Sequence, residues 1–165
     1  GYMITEAISL PPLHLTVAEL EALNLGLAIV AEAADPDLKA AALSLADKVD
    51  AVLPTKTIAD ADQWKFAVYP FADAARGFAH MPTLRAAIRA KQKLRLTYTS
   101  KEARVTTRTI RPLHMEYWGR IWTLTSWCEL RDDFRVFRVD LIQTAEALPE
   151  LFVDEPGKTL ADYVP

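Results

Sequence analysis

A single cysteine, Cys128, stands in a chain of 165 residues. That excludes an internal disulfide framework and fits a reducing, cytoplasmic setting. Cys128 falls in a strand-like pattern, where a buried structural thiol is favoured over a reactive one. There are three histidines, His14, His80 and His114, and with one cysteine they offer no metal-ligand spacing. No apolar run approaches the roughly 20 residues that a membrane span needs. Gly1–Glu6 has no basic stretch leading into an apolar one, so no leader peptide is expected. The Gly-x-Ser-x-Gly elbow, the phosphate loop and the Gly-x-Gly-x-x-Gly turn are all missing. Asp132-Asp133, adjacent acids between two strand patterns, reads as a solvated turn rather than a metal pair. No catalytic residue, metal or cofactor is therefore expected, and the chain is read as a binding protein rather than an enzyme.

The hydrophobic share of 51% is enough for a packed core, and the length fits one domain with a smaller appendage. The net charge of −3 conceals an asymmetry: residues 1–84 carry −6, residues 85–138 carry +8 and residues 139–165 carry −5. A basic middle in an acidic protein suggests a localised anion site. The overall acidity argues against a broad duplex-DNA-coating face. The competing reading is a solvated strand surface whose arginines pair with neighbouring acids.

Thr16-Val17-Ala18-Glu19 forms a capping box, with Leu15 and Leu20 placed as a hydrophobic staple. Val17, Leu20, Leu23, Leu27 and Val30 then follow helical spacing. Asp35-Pro36 starts a second helix with Asp35 as its N-cap, Leu38, Ala42, Leu45, Val49 and Val52 as its stripe, and Pro54 as its end. The short connection makes an αα-hairpin whose apolar faces must pack on the rest of the chain or on a second subunit. Residues 54–79 read as an irregular crossing pinned by Trp64, Phe66, Tyr69, Phe71 and Phe78. Pro82 is expected to open a helix through about Gln92. From Leu94 the period changes to two. Strands are expected at 94–99, at 104–110 with an extension past Pro112, at 121–128, at 134–139 and around 144–148. Pro112 breaks or bulges its strand, and Trp118-Gly119 makes a hairpin turn. The fold class is thus α+β: a helical hairpin and linker, then a small, bent antiparallel sheet or barrel.

Residues 120–140 interleave Trp122 and Trp127 with Arg131, Arg135 and Arg138. Arginine pairs with phosphate and rings stack on bases, so such strands suit anionic, ring-containing ligands. Arg104 and Arg108 share a face of the preceding strand. Arg135 and Arg138 lie three apart, so on a regular strand they face opposite sides, and one of them is a candidate structural partner of Asp140 or Glu129. Tyr98, on the face of Leu94 and Leu96, serves either core packing or ligand stacking. Trp122 alternates with Leu124 and reads as core. Trp127, on the opposite face, is either a stacking surface or packs against the Pro82–Gln92 helix. His114 either hydrogen-bonds a ligand or faces solvent.

Residues 94–142 resemble the WYL domain of bacterial transcription regulators. The namesake tripeptide stands as Trp122-Thr123-Leu124, with threonine in the middle. Leu94-Arg95-Leu96-Thr97-Tyr98 looks like the family's first barrel strand, and Ile110-Arg111-Pro112-Leu113-His114 its Pro-Leu segment. Leu130-Arg131-Asp132-Asp133-Phe134-Arg135-Val136-Phe137-Arg138-Val139-Asp140 is similar to its arginine-rich signature. Leu141 departs from the arginine often found there. Gly1-Tyr2-Met3-Ile4 looks like the last strand of a winged helix-turn-helix domain. Leu10-Pro11-Pro12-Leu13-His14-Leu15-Thr16 is similar to the linker and first helix that follow that domain in YafY-like regulators. Pro156–Tyr163 looks like the terminus of the short members.

The resemblance implies an Sm-like or SH3-like barrel over residues 80–150. A winged-helix remnant and linker would occupy 1–15, a dimerising or supporting hairpin and crossing 16–79, and a tail 151–165. It implies an effector-sensing part of a homodimeric regulator, with duplex DNA contacted only through a missing N-terminal domain. The expected ligand is a nucleotide or short single-stranded nucleic acid, with phosphate contacts from Arg131, Arg135 and Arg138. The rest of the candidate site comprises Tyr98, Arg104, Arg108, His114, Trp122 and Trp127. The rival is a dimerisation or protein-interaction module without a small ligand. A weaker third reading is an RNA-binding Sm-like barrel, against which the winged-helix resemblance of Gly1–Ile4 speaks.

Overall fold

A computed structural model describes residues 8–10, 12–32, 35–52, 69, 72–118 and 121–164. The proposed strand at Gly1–Ile4, the aromatic residues Trp64, Phe66 and Phe71, and Gly119 lie outside the described residues. Helix α1 spans Val17–Ala31 and helix α2 Pro36–Val52. The Thr16 hydroxyl accepts the Glu19 N–H at 3.1 Å while Glu19 accepts the Thr16 N–H at 2.9 Å, closing the capping box. Asp35 caps α2 by accepting the Asp37 N–H at 2.9 Å. The two helices pack on each other, and α1 also reaches the third helix. No helix among the described residues is long and apolar enough to cross a membrane.

Helix α3 departs from expectation. It spans Ala74–Ala90, so Pro82 lies inside it rather than at its start, and Phe78 is helical rather than part of a crossing. Asp73 supplies the cap, accepting the Arg76 N–H at 2.9 Å. A helix-interior proline costs about 3 kcal/mol. Here the packed stripe Gly77, Met81, Leu84 and Ala87, all buried, offsets it. Lys91, in the left-handed conformation at φ 50°, ends the helix and turns the chain straight into the sheet.

Five strands follow: β1 (Gln92–Thr99), β2 (Val105–Tyr117), β3 (Trp122–Cys128), β4 (Asp133–Arg138) and β5 (Ile142–Leu151). They form one antiparallel sheet in the order β4-β3-β2-β1-β5. Among the described residues this sheet is open, with β4 and β5 as its edges, and not the closed barrel that was expected. The short β4 ends in a 3-10 turn, Val139–Leu141, which carries the chain across to the far side of β1. Pro112 does not break β2; the strand bulges between Pro112 and His114 and continues.

The core lies between α3 and the inner sheet face. Met81, Leu84 and Ala87 meet Leu94, Leu96, Ile110, Leu124, Cys128, Phe137, Val139 and Ile142. Cys128 is fully buried, as a structural thiol should be. The helical hairpin is far less covered. Asn24 and Ala42 are its buried side chains among the described residues, while Val17, Leu38, Leu43 and Leu45 are exposed. Two polar contacts tie it down: Asn24 donates to the Tyr117 hydroxyl, and Glu21 pairs with Arg85.

Candidate functional site

Strand pairing sorts the candidate residues by face. On the inner face Tyr98 sits opposite Thr106, Leu96 opposite Arg108, Ile110 opposite Cys128 and Ser126 opposite Arg135. Arg108 and Arg135 therefore project on the same side as the core leucines. Both lie at the end of the sheet where the 129–132 turn joins β3 to β4. The Glu129 N–H donates to the Thr109 carbonyl at 3.1 Å, which brings the turn beside Arg108. Arg108 Nη1 lies 3.9 Å from Cys128 Sγ, and its Nε donates to Thr106 Oγ1 at 3.4 Å. Arg131 is exposed in the turn itself, next to Asp132 in the left-handed conformation at φ 51°. Arg104 is exposed at the tip of the β1–β2 hairpin, where Ser100 accepts its N–H.

The partners of these arginines differ. Arg135 lies 3.6 Å from Asp133 and donates to the Phe134 carbonyl. Lys93, Arg95, Arg111 and Arg138 also have carboxylate partners. Arg104, Arg108 and Arg131 have none among the described residues. The basic stretch is thus neither wholly a solvated ion-paired surface nor wholly free: three guanidinium groups at one end of the sheet keep their full charge available.

Arg138 is built differently. It is 1% exposed and grips Asp140 with both arms, Nε to Oδ1 at 2.9 Å and Nη2 to Oδ2 at 2.6 Å, while its guanidinium lies 4.9 Å from the Tyr69 ring centre. This is the Asp140 pairing weighed from the sequence, on the opposite side of β4 from Arg135. The Arg138 backbone N–H donates to the Tyr98 hydroxyl at 3.1 Å. Tyr98 is also edge-on to Phe137 at 4.9 Å. Burial, with the Asp140 charge adding to it, pushes the Tyr98 hydroxyl up to about 12.

The remaining candidates are not brought to this end. Trp122 packs at the margin of the core against Tyr117, 4.9 Å between ring centres, and its buried Nε1 has no hydrogen-bond partner among the described residues. His114 is exposed on the outer face opposite Thr125. Trp127 is also on the outer face, but it does not pack on α3. It meets Phe134 edge-on at 5.1 Å and lies under Lys158 of the C-terminal segment. Ser126 and Thr106, the neutral polar neighbours of the inner arginines, were not singled out from the sequence. Only the register with Arg135 and Tyr98 reveals them.

An acid–base network crosses the outer face. Glu129 bridges Lys93 at 2.8 Å and Arg111 at 3.1 Å, and Arg111 also holds Glu155 at 2.9 Å. Partial burial alone would raise the Glu129 carboxyl, but the two cations hold it below its ordinary range. Glu129 in turn raises Lys93.

The fold and these faces define an α+β chain organised around an open five-stranded sheet, and residues 79–147 match the WYL domain. The matched stretch runs from the middle of α3 to within β5. Among solved structures, proteasome accessory factor B/C (PafBC) of Arthrobacter aurescens is similar, with 23% identity, a TM-score of 0.45 and coverage of 81% of this chain. The match spans 21% of that longer chain.

Proposed function

We propose that this chain is the effector-sensing domain of a transcription regulator, and that its effector is a phosphate-bearing ligand, a nucleotide or short single-stranded nucleic acid. The observation that carries the reading is the set of arginines without carboxylate partners among the described residues at one end of the sheet, Arg104, Arg108 and Arg131, with Arg135 beside them. A guanidinium group pairs bidentately with phosphate oxygens, and an uncompensated one does so without first breaking an ion pair. Thr106, half-buried, adds a neutral hydroxyl on the same face, while Ser126 is buried and donates to the Arg135 carbonyl at 3.2 Å. The WYL match supports the regulatory role. The strand order and the bulged β2 are compatible with an Sm-like sheet that curls without closing.

In this reading the helical hairpin, with its exposed Val17, Leu38 and Leu45, arranges two subunits, and a separate winged head reads duplex DNA. Ligand binding then acts by favouring one arrangement, which requires different affinities in the two. Anisotropy titration of fluorescent single-stranded DNA and of a labelled nucleotide tests the site. Arg131→Glu and Arg108→Glu should each abolish saturable binding while the fold is retained. Affinity unchanged in both would remove the site.

The dimerisation-module reading has its own observation in those exposed apolar side chains. Light scattering separates the two: a concentration-independent monomer that still binds ligand leaves sensing alone standing.

A further inference from the structure

The outer sheet face carries a feature that the inner site does not use. Four neighbouring strands contribute one transverse row: Lys93 on β1, Arg111 on β2, Trp127 on β3 and Phe134 on β4. Arg111 pairs with Trp127 and Trp127 with Phe134 in register, and Lys93 follows from the adjoining Leu94–Ile110 pair. Adjacent strands lie about 4.8 Å apart, so two cations and two rings stand side by side across the sheet.

The C-terminal segment 152–163 covers this row, group for group. Glu155 accepts from Arg111 at 2.9 Å, and Glu150, just before the segment, reaches Lys93 at 3.2 Å. The Tyr163 ring sits 5.5 Å from Phe134, and Lys158 lies over Trp127. Acids thus lie on the cations, which Glu129 of the β3–β4 turn also holds at 2.8 and 3.1 Å, and a ring lies on a ring. The segment is anchored at Phe152, which is buried and donates its N–H to the Lys91 carbonyl at 2.8 Å. Beyond it, the segment is folded on itself. Asp162 accepts the Gly157 and Thr159 N–H groups and the Thr159 hydroxyl, and the Lys158 N–H closes a turn onto the Glu155 carbonyl. It therefore keeps its own shape while its grip on the row is through side chains that ions and competing rings can replace.

We propose that residues 153–163 are an intramolecular competitor, seated on a second binding face for single-stranded nucleic acid. Phosphates would replace Glu155 and Glu150 at Arg111 and Lys93, and a base would replace Tyr163 at Phe134 and Trp127. A strand with phosphates and flat rings would use all four side chains once the cover lifts, with Glu129 remaining beside both cations. The proposal stands apart from the inner arginine site, because the two faces are opposite sides of one sheet.

The test uses the full chain, fluorescein-labelled oligothymidine and anisotropy at two salt concentrations. E155Q combined with Y163A loosens the cover without touching the row. It should tighten oligothymidine binding about tenfold, the scale of one freed stacking contact. Adding R111E should remove that gain, whereas adding R108E should leave it in place even where it abolishes binding at the inner site. Amide exchange over 155–163 shows whether the cover has lifted; if it stays seated, a chain ending at Asp154, which retains the Phe152 anchor, replaces the double variant. A lifted cover with unchanged affinity overturns the proposal, as does a gain that survives R111E. Loss of the gain with R108E but not with R111E would assign all binding to the inner face.

Discussion

Arg138 and Asp140, two residues apart, form a bidentate ion pair that is almost closed to solvent, with the Asp140 backbone carbonyl also accepting the Asp73 N–H at 3.0 Å. The pair therefore fixes the 3-10 turn, the α3 N-terminus and the last residue of β4 together. Removing one partner strands a buried charge, which costs about 3–5 kcal/mol. Asp140→Asn and Arg138→Leu should each lower stability on that scale in urea unfolding. Arg138→Lys should recover little, since an ammonium cannot reproduce the two-armed contact.

Gly77 sits where α3 crosses that turn. A Cβ there would meet Asp140 Cα and the Val139 carbonyl oxygen, both at 2.9 Å. These are backbone atoms and cannot swing aside. Gly77→Ala should cost about 1–3 kcal/mol, despite alanine's better helix propensity. A neutral or stabilising result in thermal unfolding would show that α3 can shift along the sheet.

Tyr98 links stability to alkaline pH. Its hydroxyl is held up to about 12 in the folded chain, mainly by burial, against an unfolded value near 10. The folded state keeps the proton where the unfolded state loses it. The contribution is therefore intact below pH 10 and is lost as pH rises from 10 through 12, about 2–3 kcal/mol in all. Tyr98→Phe should flatten that part of the stability–pH curve. It should also destabilise at neutral pH by about 1–3 kcal/mol, because the Arg138 N–H loses its acceptor.

Arg131 offers the opposite case. It is exposed in a turn, with no carboxylate partner among the described residues. Arg131→Ala should leave stability within about 0.5 kcal/mol. It should nonetheless reduce the slope of log affinity against log salt for single-stranded DNA by about 0.7, the share of one phosphate contact. An unchanged slope would remove Arg131 from the contact set.

Much of this organisation was legible in the chain. Local chemistry fixes the capping box at Thr16 and Glu19, the Asp35 cap and the alternation of β1, since each depends on neighbours within a few residues; the turn expected at Asp132-Asp133 closes at Asp132, and Asp133 is the first residue of β4. The resemblance to the WYL domain is carried by short strand motifs, and residues 79–147 match that domain. The Pro82 helix start was misread because a proline beside a possible boundary looks like an N1 residue. Asp73 and the buried Gly77–Met81 stripe, which extend α3 eight residues upstream, gain their meaning from contacts with β5 and the 3-10 turn.

The sequence by itself determined that arginines and rings would interleave on paired strands, that Cys128 would be a core thiol, and that the chain would turn from helical to strand period at its middle. Only the tertiary structure decided which arginines are available. Strand register sends Arg108 and Arg135 to one face and Trp127 and Arg111 to the other, and the bend after β4 folds Asp140 back onto Arg138. The acidic tail then lies on the outer row. Alternation along a strand specifies two faces, but which acids come within reach of each face depends on strand order and on segments far away in sequence, and those are settled only when the sheet assembles.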